Sequence, residues 1–159
     1  AEKTMRESNL HGSILHVGKD MLASAFAQDG NIEVQLWSLF ENKMINSFRE
    51  KDYFYYSVNL SSDSQILATS NGSLWDVKSG QLIRNLNVTG NVIAFSQDNN
   101  LIAYSNNNEI QLLDLQNGKI LNTMHGHKDL ISTLAFSANG RWLASGSRDG
   151  TIRLWGVTP

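Results

Sequence analysis

His127, Ser145 and Asp149 are the side chains in this 159-residue sequence whose types suit covalent chemistry. Together they have the composition of a nucleophilic triad, in which a carboxylate orients an imidazole and the imidazole takes the hydroxyl proton. Their setting argues against that use. Ser145 lies in the middle of "WLASGS", a strand-like run. A nucleophilic serine wants a sharp strand-to-helix turn beside N–H groups that hold an oxyanion. His125 and His127, in "HGH", would share one side of a strand, but a zinc site needs three or four converging ligands. The chain has no cysteine and four histidines, and the other two, His11 and His16, belong to a distant unit. No catalytic residue, cofactor or metal ligand is expected.

The elements that must position these residues are short strands. In "GSRDGTIRLWG" (146–156), Asp149-Gly150 marks a turn, and Ile152 and Leu154 then alternate with Arg153 and Trp155. "QLWSL", "SLWDV" and "QLLDL" end in the same way, which defines a column of Trp37, Trp75, Leu113 and Trp155 spaced by 38, 38 and 42 residues. A second column is "HVGKDMLASA", "NLSSDSQILATS", "AFSQDNNLIAYS" and "AFSANGRWLASG", each a strand end, a polar turn and a new strand. A third is "KTMRES", "KMINSF", "QLIRNL" and "KILNTM". The segments alternate with period two and are mostly bounded by Gly, Asn, Asp or Ser, and no stretch carries a helical period. Four units of four strands each, at about 3–39, 43–77, 81–115 and 119–157, make one domain over 1–159.

"GH" at Gly126-His127, "LASGSRDGTIRLW" from Leu143 and "LWDV" ending at Val77 resemble the WD40-repeat family of β-propellers. The last unit carries the full pattern. The third lacks Gly-His and the Trp, the second has a shortened turn, "SNGS", and the first has His11-Gly12 reversed. The resemblance implies an all-β fold, a β-propeller with four four-stranded antiparallel blades. It also implies that His127, Ser145, Asp149 and Trp155 form a structural hydrogen-bond chain rather than a catalytic one. Trp142, outside the Trp column, is expected to cover a strand edge or pack on a neighbouring blade.

The same resemblance places a partner-binding rim at the mouth of the central channel. In the aromatic run "DYFYYS", Phe54 and Tyr56 align with Leu130 and Ser132. The residue before each turn Asp adds Arg148 and Gln28, and more weakly Asn107. Aromatic and Arg side chains at a rim suit protein contacts. Net charge is −2 with both signs dispersed, which leaves no basic block to neutralise a run of phosphates. No apolar run is long enough to span a bilayer. The expected role is a non-enzymatic scaffold for a protein or peptide, working in the cytoplasm, with neither nucleic acid nor membrane as partner. Two alternatives stand beside it: the sensory or autoinhibitory C-terminal portion of a larger signalling protein, and an enzyme acting in the central channel.

Rings of this family commonly have seven blades, which at about 40 residues each need roughly 280 residues. A half-ring or partial propeller is therefore expected. It would be completed by a second copy, as a homodimer, or by further blades, with a compact four-bladed monomer as the third alternative. The strand phasing suggests how: "KTMRES" would be an outermost strand completing the blade that ends at Trp155.

Overall fold

A computed structural model describes residues 11–28, 31–50 and 57–157. Among these, every regular element is a strand. The first sheet is β1 (His11–Val17), β2 (Met21–Gln28), β3 (Asn31–Ser38) and β4 (Lys43–Glu50). The second is β5 (Val58–Leu60), β6 (Ile66–Thr69), β7 (Ser73–Asp76) and β8 (Leu82–Asn85). The third is β9 (Val92–Phe95), β10 (Leu101–Asn106), β11 (Glu109–Asp114) and β12 (Ile120–His125). The last sheet contains β13 (Ile131–Phe136), β14 (Trp142–Ser147) and β15 (Ile152–Gly156), three strands among the described residues where four were expected. Each sheet is an antiparallel meander in chain order. The sequence repeat is offset from the sheet by one strand: the segment that opens each later repeat pairs with the Trp strand before it. "KTMRES", the expected fourth strand of the last sheet, lies outside the described residues.

Local chemistry sets the turns. Between the first two strands of a sheet, Ser61 donates its hydroxyl to Asp63 and accepts from the Ile66 N–H, while Asp63 accepts from the Gln65 N–H. Ser96, Asp98, Asn100 and Leu101 repeat this pattern, as do Ser137, Asn139, Arg141 and Trp142. These bonds, led by the serine hydroxyls, hold the Asp63 and Asp98 carboxyls below the usual carboxylate range. After the Trp strand, Asp76 and Asp114 cap a tighter turn by accepting backbone N–H groups of residues two or three ahead. Those turns end on Gly80 and Gly118, at φ of 68° and 75°, a region that costs glycine nothing.

Consecutive sheets stack face to face. Ala23, Val34 and Leu36 of the first pack on Leu60, Leu67, Trp75 and Val77 of the second. Ala68 and Leu74 then meet Ile93, Ile102, Tyr104 and Leu113. Ala103, Ile110, Leu112 and Met124 meet Ile131, Leu143 and Val157. The innermost strands β1, β5, β9 and β13 follow one another and, with their turns, border a cavity of about 380 Å³. Leu67 has no exposed surface at the first of these interfaces. Leu67→Ala should cost about 2–5 kcal/mol in urea denaturation; a loss below about 1 kcal/mol would contradict this stacking.

Candidate functional site

The pairing of β14 with β15 sets Leu143 opposite Trp155 and Ser145 opposite Arg153, so Ser145 and Trp155 share the face turned to the third sheet. Trp155 Nε1 donates to Ser145 Oγ at 2.8 Å. His127, in the connection from β12 to β13, sits with Nε2 2.7 Å from the same oxygen and Nδ1 2.9 Å from Asp149 Oδ2. An indole N–H can only donate and a carboxylate can only accept. Nδ1 therefore carries the proton toward Asp149. With the ring neutral, Ser145 gives its own proton to Nε2, and all donors run one way from Trp155 to Asp149.

Asp149 is held by more than the imidazole. Lys128 N–H donates at 2.8 Å, Thr151 N–H at 2.9 Å and the Thr151 hydroxyl at 2.6 Å. The Thr151 hydroxyl and the Lys128 N–H, ahead of His127, hold the carboxyl far below its usual range, against the opposing effect of burial. The His127 side chain has no exposed surface, and its carbonyl accepts from Asn108 of the third sheet at 3.0 Å. Ser145 is 1% exposed. A hydroxyl engaged by indole and imidazole with no open side has no room for an electrophile, so this geometry binds the turn to the strands rather than presenting a nucleophile. His125, by contrast, points outward and meets Glu109 at 2.9 Å. The two histidines of "HGH" do not converge, and no group of three or more acidic or His residues suited to a metal occurs among the described residues.

The other sheets fill the same positions differently. Register sets Ser24, Thr69 and Tyr104 in the place of Ser145, with Trp37, Trp75 and Leu113 in the place of Trp155. Among the described residues, the Ser24 hydroxyl, the Trp75 indole N–H and the Tyr104 hydroxyl are buried without a hydrogen-bond partner. Thr69 turns instead to Asn71, at 2.7 Å, and Trp75 stacks on Phe48 with ring centroids 4.2 Å apart. Tyr104, wholly buried, has its phenol pushed up by desolvation. Its placement in the serine column is legible from the alignment of "LIAYS" with "WLASG", but the sequence carried no sign that its hydroxyl would go unpaired.

At the mouth, the structure brings part of the expected rim together. The Arg148 N–H donates to the Leu130 carbonyl at 2.9 Å, and the Ile131 N–H to that of Asn107 at 2.7 Å. Arg148 and Asn107 are exposed, Leu130 is half-buried, and the exposed Ser132 donates to Gly146 O at 3.3 Å. Gln28 ends β2 in the first sheet, away from this group, opposite Asn31. Its side chain, like Phe54 and Tyr56, lies outside the described residues. Trp142 stands on the outer face of the last sheet, 51% exposed, with its ring beside Gly156 of β15, the last strand of that sheet among the described residues.

Residues 118–156 match the family model of the WD domain, G-beta repeat. That stretch is a WD repeat, and the chain is similar to WD-repeat proteins. It is 34% identical over 106 residues to the U3 small nucleolar RNA-associated protein 21 homolog of Schizosaccharomyces pombe, a match covering 62% of this chain. The same organism supplies the Target of rapamycin complex subunit wat1, 28% identical over 62% of the chain, and the WD repeat-containing protein srw1, 27% identical over 77%. The matched stretches are 12%, 35% and 24% of those relatives' own lengths. The four stacked sheets are accordingly WD-type blades, part of a propeller.

Ser145→Ala strands the Trp155 indole N–H and His127 Nε2 and should cost about 1–3 kcal/mol. Ser24→Ala, which removes a hydroxyl with no partner among the described residues, should stay within about 0.5 kcal/mol of wild type. Equal losses in urea melts would refute the assignment. Because the Asp149 carboxyl is depressed on folding, its contribution is complete above the unfolded value of about 3.9 and is lost as pH falls below it. Denaturation between pH 5 and pH 2 should therefore show a shallower acid slope for Asp149→Asn than for wild type; parallel slopes would contradict this.

Proposed function

We propose that this chain is a non-enzymatic scaffold whose blade mouths dock a protein or peptide. The observation that carries the reading is the group of exposed Arg148 and Ser132 with half-buried Leu130, held in register by hydrogen bonds to the backbone on a frame locked by the buried His127 chain. Loops on a rigid frame can carry specificity at little ordering cost. The names of relatives point the same way, since one is a subunit of a Target of rapamycin complex. Gln28, Phe54 and Tyr56, whose side chains lie outside the described residues, are included in the proposed set on the sequence alignment alone. The reading places the protein in the cytoplasm with neither nucleic acid nor membrane as partner, the former on the net charge of −2. It also takes the ring to be completed by a second copy, as a homodimer, or by further blades.

The short share of each relative that is matched favours a second reading, in which this is the sensory or autoinhibitory portion of a larger protein. A channel enzyme is less favoured: among the described residues, those bordering the 380 Å³ cavity include Lys19, Asn59 and several serines but no carboxylate or histidine. The rim is tested by selecting displayed peptides against the chain and measuring their affinity for Arg148→Glu/Leu130→Glu by fluorescence polarisation. Binding should weaken at least about tenfold. Unchanged affinity, or no selected peptide at all, would overturn the rim assignment.

A further inference from the structure

Three Asn-Gly pairs occur in the chain, Asn71-Gly72, Asn117-Gly118 and Asn139-Gly140. Such a pair is open to attack within the chain, because no Cβ hinders the glycine nitrogen as it approaches the side-chain amide carbon. In all three the glycine N–H donates inside its own turn, to Thr69 O, Asp114 O and Ser137 O at 2.9, 2.8 and 2.9 Å. The nucleophile is held alike each time. What differs is the amide it must attack.

Acids engage the amides of Asn71 and Asn117. Asn71 Nδ2 donates to Glu50 at 3.1 Å, and Asn117 Nδ2 to Asp114 at 2.7 Å. Each carboxylate holds the group that would have to leave and opposes the negative charge that would develop on Oδ1. Asn139 is exposed, and its Nδ2 makes no hydrogen bond among the described residues. Its Oδ1 accepts from the Ser137 hydroxyl at 2.7 Å and the Arg141 N–H at 3.1 Å, two donors placed to stabilise an oxyanion. Asn71 has a similar pair of donors, from Thr69 and Ser73, but its glycine is shut in. A Cβ on Gly72 would meet the Val88 carbonyl at 2.6 Å, whereas one on Gly140 would meet nothing within 4 Å. The last turn alone of the three combines a free amide with room to move.

We propose that Asn139 is a self-modification site of the folded chain: it deamidates through Gly140, and the aspartate formed keeps the turn. The Gly140 nitrogen bonds to Asn139 Cγ and closes a succinimide, the Cγ–Nδ2 bond breaks, and the nitrogen's proton leaves on ammonia. Water then opens the ring. Cleavage at Cγ gives aspartate on an unchanged main chain, and cleavage at the other carbonyl gives isoaspartate, with a methylene added to the main chain. The aspartyl product is the turn that two other blades already have. Asp63 and Asp98 stand where Asn139 does and accept from the matching serine hydroxyl and backbone N–H. The new charge lies beside the Trp142 end of β14, away from Arg148 beyond its Ser147 end, so the proposal is independent of the docking reading.

Trypsin places the three sites on separate peptides, 52–78, 85–119 and 129–141, so mass spectrometry can follow each amide-to-acid conversion after incubation in mildly alkaline buffer. In denaturing guanidinium the three should react within about threefold of one another, because glycine follows each and no fold protects any. In the folded chain Asn139 should react at least about tenfold faster than Asn71 and Asn117. Equal protection of all three, or faster loss at Asn71 or Asn117, overturns the site. Asn139→Asp should unfold at no lower urea concentration than wild type, and aspartate should be the main product in the folded chain. A lower midpoint, or isoaspartate in excess, overturns the retained turn.

Discussion

Each blade in this protein is a thin sheet with two apolar faces, and neither face is stable in water alone. The stack satisfies that constraint by pairing the far face of each blade with the near face of the next, three times over. A small residue on the second strand, Ala23, Ala68 or Ala103, leaves room for the neighbour's Leu67, Ile102 or Leu143. At about 25 cal/mol per Å² of apolar surface, this burial is the main term holding the array.

Burying strands face to face also buries their polar groups, and the blades meet this in different ways. The last blade pairs Trp155, Ser145, His127 and Asp149 in a single file, and that file ties a turn, a connection and two strands together. The second blade splits the same positions into a Thr69–Asn71 bond and a Trp75–Phe48 stack. The third replaces the polar file with the Tyr104 ring and Leu113, accepting an unpaired hydroxyl in return for apolar packing. An unpaired buried hydroxyl costs about 1–3 kcal/mol, which the ring's burial can offset.

This division of labour bears on the proposed docking surface. The rigid part of the last blade lies directly beneath Arg148 and Leu130, because the turn carrying Asp149 also carries Arg148, and the connection carrying His127 leads to Leu130. The buried file therefore fixes Arg148 and Leu130, residues of the proposed rim, without being reachable itself. A Ser-His-Asp arrangement with bond lengths suited to catalysis serves here as a clamp, and burial rather than distance makes the difference.

Most of the architecture was legible in the sequence. Spacings of 38, 38 and 42 residues set the strand phase, and the Ser-x-Asp and Asp-x-x-x-Gly turns name their own hydrogen bonds, because these features depend on residues two to five apart. The membership of the His127 file was legible through resemblance, since its four residue types recur at fixed offsets. What the sequence could not show was exposure. "TIRLW" and "EIQLL" have the same alternation, yet Ile110 and Leu112 are buried while Ile152 and Leu154 stand in solvent. Periodicity determines which side of a strand is apolar. Only tertiary structure decides whether another sheet lies against that side, because burial is a property of the neighbour and not of the strand.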